Sequence, residues 1–190
     1  MAPPAFQPSF PIRTDRLALR PWRPDEVDVY HSLRGDPEVV RYLYDDPLSH
    51  AQAADRLARL RSEITEPDAW MNLAVEIVAS GRVAGDVGLC WRSDTHHSAE
   101  VGFTFLPNHR GHGYATEAAT AMVELAFSGL GAHRVSGHLD QRNRASAALL
   151  ERLGMRREAL LVENEWVKGE WTDEAIYAVL AREWLARSST

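Results

Sequence analysis

The chain has 190 residues, of which 45% are hydrophobic and 25% charged, with a formal net charge of -6. That length suits one domain with a real core, and the acid excess argues against a general binder of nucleic-acid phosphates, which needs a basic face. The single cysteine, Cys90, cannot close an internal disulfide, and no apolar run approaches the roughly 20 residues that cross a bilayer, so a soluble, cytoplasmic protein with no membrane partner is expected.

Met1 to Pro11 is proline-rich and lacks the basic start and apolar run of a signal peptide; it is expected to be flexible, leaving residues 12–187 as the domain. Arg16-Leu17-Ala18-Leu19-Arg20 alternates polar and apolar side chains up to Pro21, the pattern of a strand with one buried face. Pro24-Asp25-Glu26 supplies a helix start, and Val27, Tyr30 and Leu33 recur at helical spacing until Gly35. A second helix is predicted from His50 to Ile64, with Leu57, Leu60 and Ile64 on one stripe. Leu73 to Ile77 and Val83 to Leu89 flank the turn Ala79-Ser80-Gly81-Arg82, which reads as a hairpin. Ala99, Val101, Phe103 and Phe105 alternate with Glu100, Gly102 and Thr104 in a further strand that Pro107 closes.

After a glycine-rich turn, Ala115, Ala118, Ala119, Met122, Val123, Ala126 and Phe127 repeat at three and four, the clearest amphipathic helix in the chain. A strand from Arg134 to Leu139 and a helix from Ala147 to Leu153, stopped by Gly154, follow. Two last strands, Met155 to Val162 and Trp171 to Leu180, flank a polar turn at Lys168-Gly169. The sum is a single α+β domain: a mixed, mostly antiparallel sheet flanked by helices, with a strand–helix–strand crossover from Glu100 to Leu139.

The crossover turn carries the chemistry. Gly111 and Gly113, one residue apart, let the backbone approach a ligand, and the unpaired N–H groups of the following helix's first turn point at bound oxygens. Arg110 adds a cation for a phosphate. The two glycines alone fit a plain tight connection as well. Thr116 stands where a dinucleotide fingerprint has its third glycine, and the Lys-Ser/Thr pair of a P-loop is missing.

Arg110-Gly111-His112-Gly113-Tyr114-Ala115-Thr116-Glu117-Ala118 resembles the coenzyme loop of the GNAT superfamily of acetyl-CoA-dependent N-acetyltransferases, in the version of the branch that acetylates the N-termini of ribosomal proteins. Thr14-Asp15-Arg16-Leu17, Asn143-x-x-Ser146, Leu153-Gly154-Met155 and Gly169-x-Trp171-x-Asp173 stand at family-like positions, so the resemblance spans nearly the whole chain. It implies acetyl-CoA as acyl donor and an amine as acceptor. It also implies a coenzyme site made of Phe103, Thr104 and Phe105 along the pantetheine, Arg110, Gly111, His112, Gly113, Tyr114, Ala115 and Thr116 at the pyrophosphate, and Asn143. Asn108 replaces the Gln or Arg that opens the family's loop motif, and Leu150 replaces the tyrosine that in many members protonates the departing thiolate.

Direct attack of the amine on the thioester requires a neutral nitrogen, a polarised carbonyl and a proton for the thiolate. Glu100 is assigned to remove the amine's proton through water and Ser146 to give the departing thiolate its proton, and in the arrangement that the resemblance implies a backbone N–H near Phe105 polarises the carbonyl. The acceptor, a protein N-terminus or a small amine, is expected near Pro37 to Leu48 and Glu163 to Gly169, where Asp45, Asp46, Glu163 and Glu165 attract a cation. A non-catalytic acyl-CoA-binding module is the alternative, since the tyrosine is missing. No metal is expected, and His96-His97 and His109-x-x-His112 read as loop histidines. Cys90 reads as buried, and Trp22, Trp70, Trp166 and Trp171 as core or pocket wall. The last strands could pair across a homodimer.

Overall fold

The computed structural model describes residues 6–93 and 97–187. In chain order these form β1 (Ile12–Arg13), β2 (Leu17–Arg20), α1 (Val27–Arg34), α2 (His50–Leu57), β3 (Trp70–Ile77), β4 (Arg82–Ser93), β5 (Ser98–Phe105), α3 (Tyr114–Ser128), β6 (Arg134–Asp140), α4 (Arg144–Arg152), β7 (Arg156–Val167), β8 (Glu170–Leu180) and α5 (Ala181–Arg187). One eight-stranded sheet runs in the order β1-β2-β3-β4-β5-β6-β8-β7. All neighbours are antiparallel except β5 and β6, the two strands joined through α3.

Strand alternation gives the sheet two different faces. Odd-numbered residues of the central strands, among them Met71, Leu73, Val87, Leu89, Val101 and Phe105, share the main core with Ala118, Ala119, Met122, Val123 and Ala126 of α3. Three of those five α3 residues are alanines, so the helix can lie close to the sheet. The opposite face carries Asp86, Glu100, Thr104, Ser136 and Glu174, all buried, under a second and smaller apolar cluster built on Tyr30, Ala53 and Leu57. A polar sheet face roofed by α1 and α2 is a poor core and a good site.

The hairpin, the crossover and the two long C-terminal strands follow the sequence expectation. The expected helix from His50 to Ile64 is shorter and ends at Leu57. Its apolar stripe serves two cores: Leu57 and Leu60 join the Tyr30 cluster, whereas Ile64 belongs to the main core and exchanges both backbone hydrogen bonds with Phe6 at 2.9 Å. One straight helix cannot reach both. The same bridge ties down Phe6, inside the stretch expected to be flexible. β1 and α5 are too short to show a period in sequence; α5 is held by Trp184, whose Nε1 donates to Glu124 at 2.6 Å.

The register of β5 and β6 decides where a ligand can enter. They pair for only three positions, from Ser98 with Arg134 to Glu100 with Ser136, and then diverge. Beyond Glu100 the β5 backbone faces a cleft, and the N-terminus of α4 stands near it through Asn143 and Ser146.

Candidate active site

Gly111 (φ 79°) and Gly113 (φ 80°) both adopt the left-handed conformation, which a side chain resists, and Gly113 begins α3. No side chain caps the helix. Its first backbone bond runs from Glu117 N–H to the Gly113 carbonyl at 3.0 Å, so the Tyr114, Ala115 and Thr116 N–H groups precede the helical ladder. An acidic residue at the first turn, Glu117, would repel an anion, but it is already engaged. It accepts from the Thr14 hydroxyl at 2.5 Å, the Arg16 backbone N–H at 2.8 Å and Arg16 Nε at 2.7 Å. Arg16 also donates to the His112 carbonyl at 2.9 Å and lies over the Tyr114 ring. Thr14 and Arg16 therefore clip the glycine loop to the strand on the far side of α3.

A cavity of about 550 Å3 opens on this cradle. Its walls include Phe103, Thr104 and Phe105 of β5, Arg110, Gly111, Gly113, Tyr114, Ala115 and Thr116 of the loop and helix, and Asn143 and Ser146 of α4. Every expected coenzyme residue is there except His112. Its ring stacks on Tyr114 at 5.6 Å between centroids, and its Nδ1 meets the Arg110 carbonyl at 2.9 Å, so the side chain points away from the cavity wall. Arg110 Nε donates to the Phe105 carbonyl at 2.9 Å, which joins the loop to the end of β5.

A second cavity of about 330 Å3 lies on the polar sheet face and shares Tyr42, Leu43, Phe103, Thr104, Asn143 and Ser146 with the first. Trp70, Asn72, Asp86, Glu100 and His138 line it, with Arg34 and Tyr44 from the roof. Arg34 holds Thr104 Oγ1 at 2.8 Å and forms a buried ion pair with Asp86, which fixes α1 over the floor. The two cavities meet at the end of β5, the geometry of a donor and an acceptor that approach one bond from opposite sides.

Residues 16–156 match the family model of the acetyltransferase (GNAT) domain. The chain belongs to the GNAT acetyltransferase family. It is 26% identical to an uncharacterized N-acetyltransferase, p20, of Bacillus licheniformis, over 91% of this chain and 97% of that protein. It is 25% identical to the spermidine N(1)-acetyltransferase of Vibrio cholerae, over 91% and 98% of the two chains. Its fold superposes on an acetyltransferase of the GNAT family from Bacillus anthracis with a TM-score of 0.81 at 25% identity, covering 92% of this chain and all of that one.

As a GNAT enzyme the chain is an acetyl-CoA-dependent N-acetyltransferase, and its residues fit that donor: uncapped helix N–H groups and two left-handed glycines suit a pyrophosphate, and the cleft beyond Glu100 offers open backbone to an extended pantetheine. Glu100 lines the second cavity, is 7% exposed, and receives Arg92 Nε on Oε2 at 2.7 Å. Asn143 caps α4, its Oδ1 accepting from Ser146 N–H at 3.1 Å, while the Ser146 side chain borders both cavities. Leu150, where many GNAT enzymes have tyrosine, is 2% exposed and packs onto Gly137, so that position offers no phenol.

Several expectations need correction. Of the four acids expected around the acceptor, Asp45 alone lines the second cavity, paired with Arg56 at 2.6 Å. Glu163 to Val167 belong to β7, and the turn that follows contributes a cation instead: Lys168 Nζ donates to the Val40 and Leu43 carbonyls at 2.6 and 2.7 Å and so anchors the loop that walls both cavities. Trp22 and Trp70 are core and pocket wall, but Trp166 and Trp171 are exposed and pack edge to face on each other. Cys90 is buried, and burial pushes its thiol up to about 12, which removes it as a nucleophile. His96 lies outside the described residues. Asp86 and His138 were missed because each sits in an unremarkable strand pattern; a polar residue at every second position of β6, from Arg134 to Asp140, was the available signal.

Proposed function

We propose that the acceptor is a small primary amine that enters as a cation through the second cavity. The observation that carries this reading is the wall of that cavity. Trp70, Tyr42 and Tyr44 line it beside Glu100, and two of these rings already hold a cation, Arg92 over Trp70 at 5.9 Å and Arg41 over Tyr42 at 5.4 Å, so the wall is one that accepts positive charge. The arginines there are partnered, Arg34 with Asp86, Arg56 with Asp45 and Arg92 with Glu100, so they do not present bare positive charge to a substrate. The spermidine acetyltransferase relative, aligned over most of both chains, supports the same class. The ribosomal-protein branch, which the loop motif resembles, would acetylate a peptide N-terminus instead.

In this reading Glu100 draws the ammonium proton through water, the freed nitrogen attacks the thioester, and a backbone N–H near Phe105 steadies the carbonyl oxygen. The second nitrogen proton reaches the thiolate by way of the Ser146 hydroxyl. Thiol release from acetyl-CoA tests the acceptor with spermidine, spermine, short diamines, an aminoglycoside and peptides with free N-termini. Turnover of the small amines is expected; acetylation of the peptides alone overturns the reading. Glu100→Gln is expected to lower kcat by at least about 100-fold, and Ser146→Ala to act on kcat more than on KM. Unchanged activity in both variants removes both roles.

A further inference from the structure

The reaction releases one proton net: an ammonium and a thioester give an amide, a thiol and H+. Glu100 is 7% exposed, so a proton that arrives there needs a way out before the next turnover. Glu100 is the parallel partner of Ser136, on the same face of the sheet. The Ser136 hydroxyl donates to the Ala99 carbonyl at 3.4 Å, so it is not free to pass a proton on; His138 lines the same cavity as Glu100, and its Nδ1 lies 3.2 Å from Glu174 Oε1. Glu174, 8% exposed, also accepts from the Tyr44 hydroxyl at 2.8 Å and from Asn164 Nδ2 at 3.0 Å. Two donors hold this carboxyl group, and the Nδ1–H tautomer, which adds a third, leaves Nε2 of His138 as the acceptor. His138 itself is part-exposed and lines the acceptor cavity.

We propose that His138, oriented by Glu174, is the proton exit of the active site: through water in the cavity that both line, it receives the proton that Glu100 has taken from the amine and releases it to solvent. This rests on the Glu100 step proposed above. The balance closes at each transfer. The Glu100 carboxyl gives its proton to a water in the cavity that both residues line as that water's proton passes to His138 Nε2, and the imidazolium, beside Glu174, then discharges to solvent. The charged groups about His138 are Glu174 on β8, Glu100 with its Arg92 on β5 and β4, and Asp140 on its own strand, which Arg142 occupies at 2.6 Å. Tyr44 closes the far side.

The test uses the full chain, acetyl-CoA and the fastest amine of the panel above, in dilute buffer. His138→Gln is expected to lower kcat by up to about 100-fold with the acetyl-CoA KM unchanged, and free imidazole is expected to restore most of the loss. Glu174→Gln, which keeps an acceptor for Nδ1–H but removes the charge, is expected to give a smaller loss with the same rescue. An unchanged kcat in His138→Gln overturns the proposal, and so does a loss that imidazole fails to restore, which marks a structural role. Full activity in Glu100→Gln removes the step beneath it, whatever His138→Gln does. The two failures are thus told apart.

Discussion

Gly88 and Gly102 oppose each other across β4 and β5, and the Trp70 ring lies on the shelf that they form. A Cβ on Gly88 would stand 2.9 Å from the ring and 3.0 Å from Asn72 Oδ1, and one on Gly102 would stand 3.2 Å from the ring. The shelf exists because neither strand residue has a side chain, and it places a flat aromatic wall in the acceptor cavity. Gly88→Ala is therefore expected to push Trp70 into the cavity, raise the amine KM and cost about 1–3 kcal/mol in urea melts. Gly102→Ala is expected to do the same more weakly. The acetyl-CoA KM should stay put in both.

The Glu117 clip makes acetyl-CoA binding sensitive to acid. Burial alone would lift the Glu117 carboxyl, but hydrogen bonds from Thr14 and Arg16 outweigh it and hold the group below its ordinary value of 4.5. A depressed carboxylate stabilises the fold above its unfolded value and loses that contribution as pH falls through the folded one. Thermal melts should therefore show a contribution that is complete above about pH 4.5 and fades below it. Glu117→Gln is expected to abolish that slope and to raise the acetyl-CoA KM at neutral pH.

Arg34 and Asp86 stand or fall together. Both side chains are largely out of water, so removing one leaves an unpaired buried charge. Asp86→Asn is expected to cost about 3–5 kcal/mol by urea denaturation, and Arg34→Met with Asp86→Leu to recover much of that loss while altering amine binding. Equal instability in the single and double variants would assign the effect to packing alone.

Lys168 acts at a distance on the acceptor. Its ammonium holds two loop carbonyls, Val40 and Leu43, and Leu43 borders both cavities. Lys168→Met is expected to leave the melting temperature nearly unchanged and to raise the amine KM severalfold in steady-state assays, since a loop held by fewer bonds closes less well on its ligand. An unchanged KM would show that other contacts suffice.

Local pattern was enough for the elements that repeat. The period of two along Ala99 to Phe105, the helical period of Ala115 to Phe127 and the Gly111-x-Gly113 turn between them made this strand–turn–helix unit readable, because its parts are contiguous in the chain. Pyrophosphate recognition uses backbone N–H groups, and the sequence announces those through glycine and a helix start. His112 lies in the same motif, yet its ring turns onto Tyr114; a side chain's direction depends on neighbours that the motif does not contain.

The acceptor site was decided by tertiary structure. It draws short pieces from α1, from the loop before α2 and from β3, β4, β5 and β6, far apart in sequence, and Glu174 reaches His138 from the neighbouring β8. Their proximity follows from sheet order, from the three-residue pairing of β5 with β6, and from a strand phase that places every even position on one face. By itself the sequence determined the periods and the glycine turn, and its resemblance to the GNAT loop implied the donor. Register and long-range packing, which bring distant positions within a few ångströms, decided what the enzyme can hold beside it.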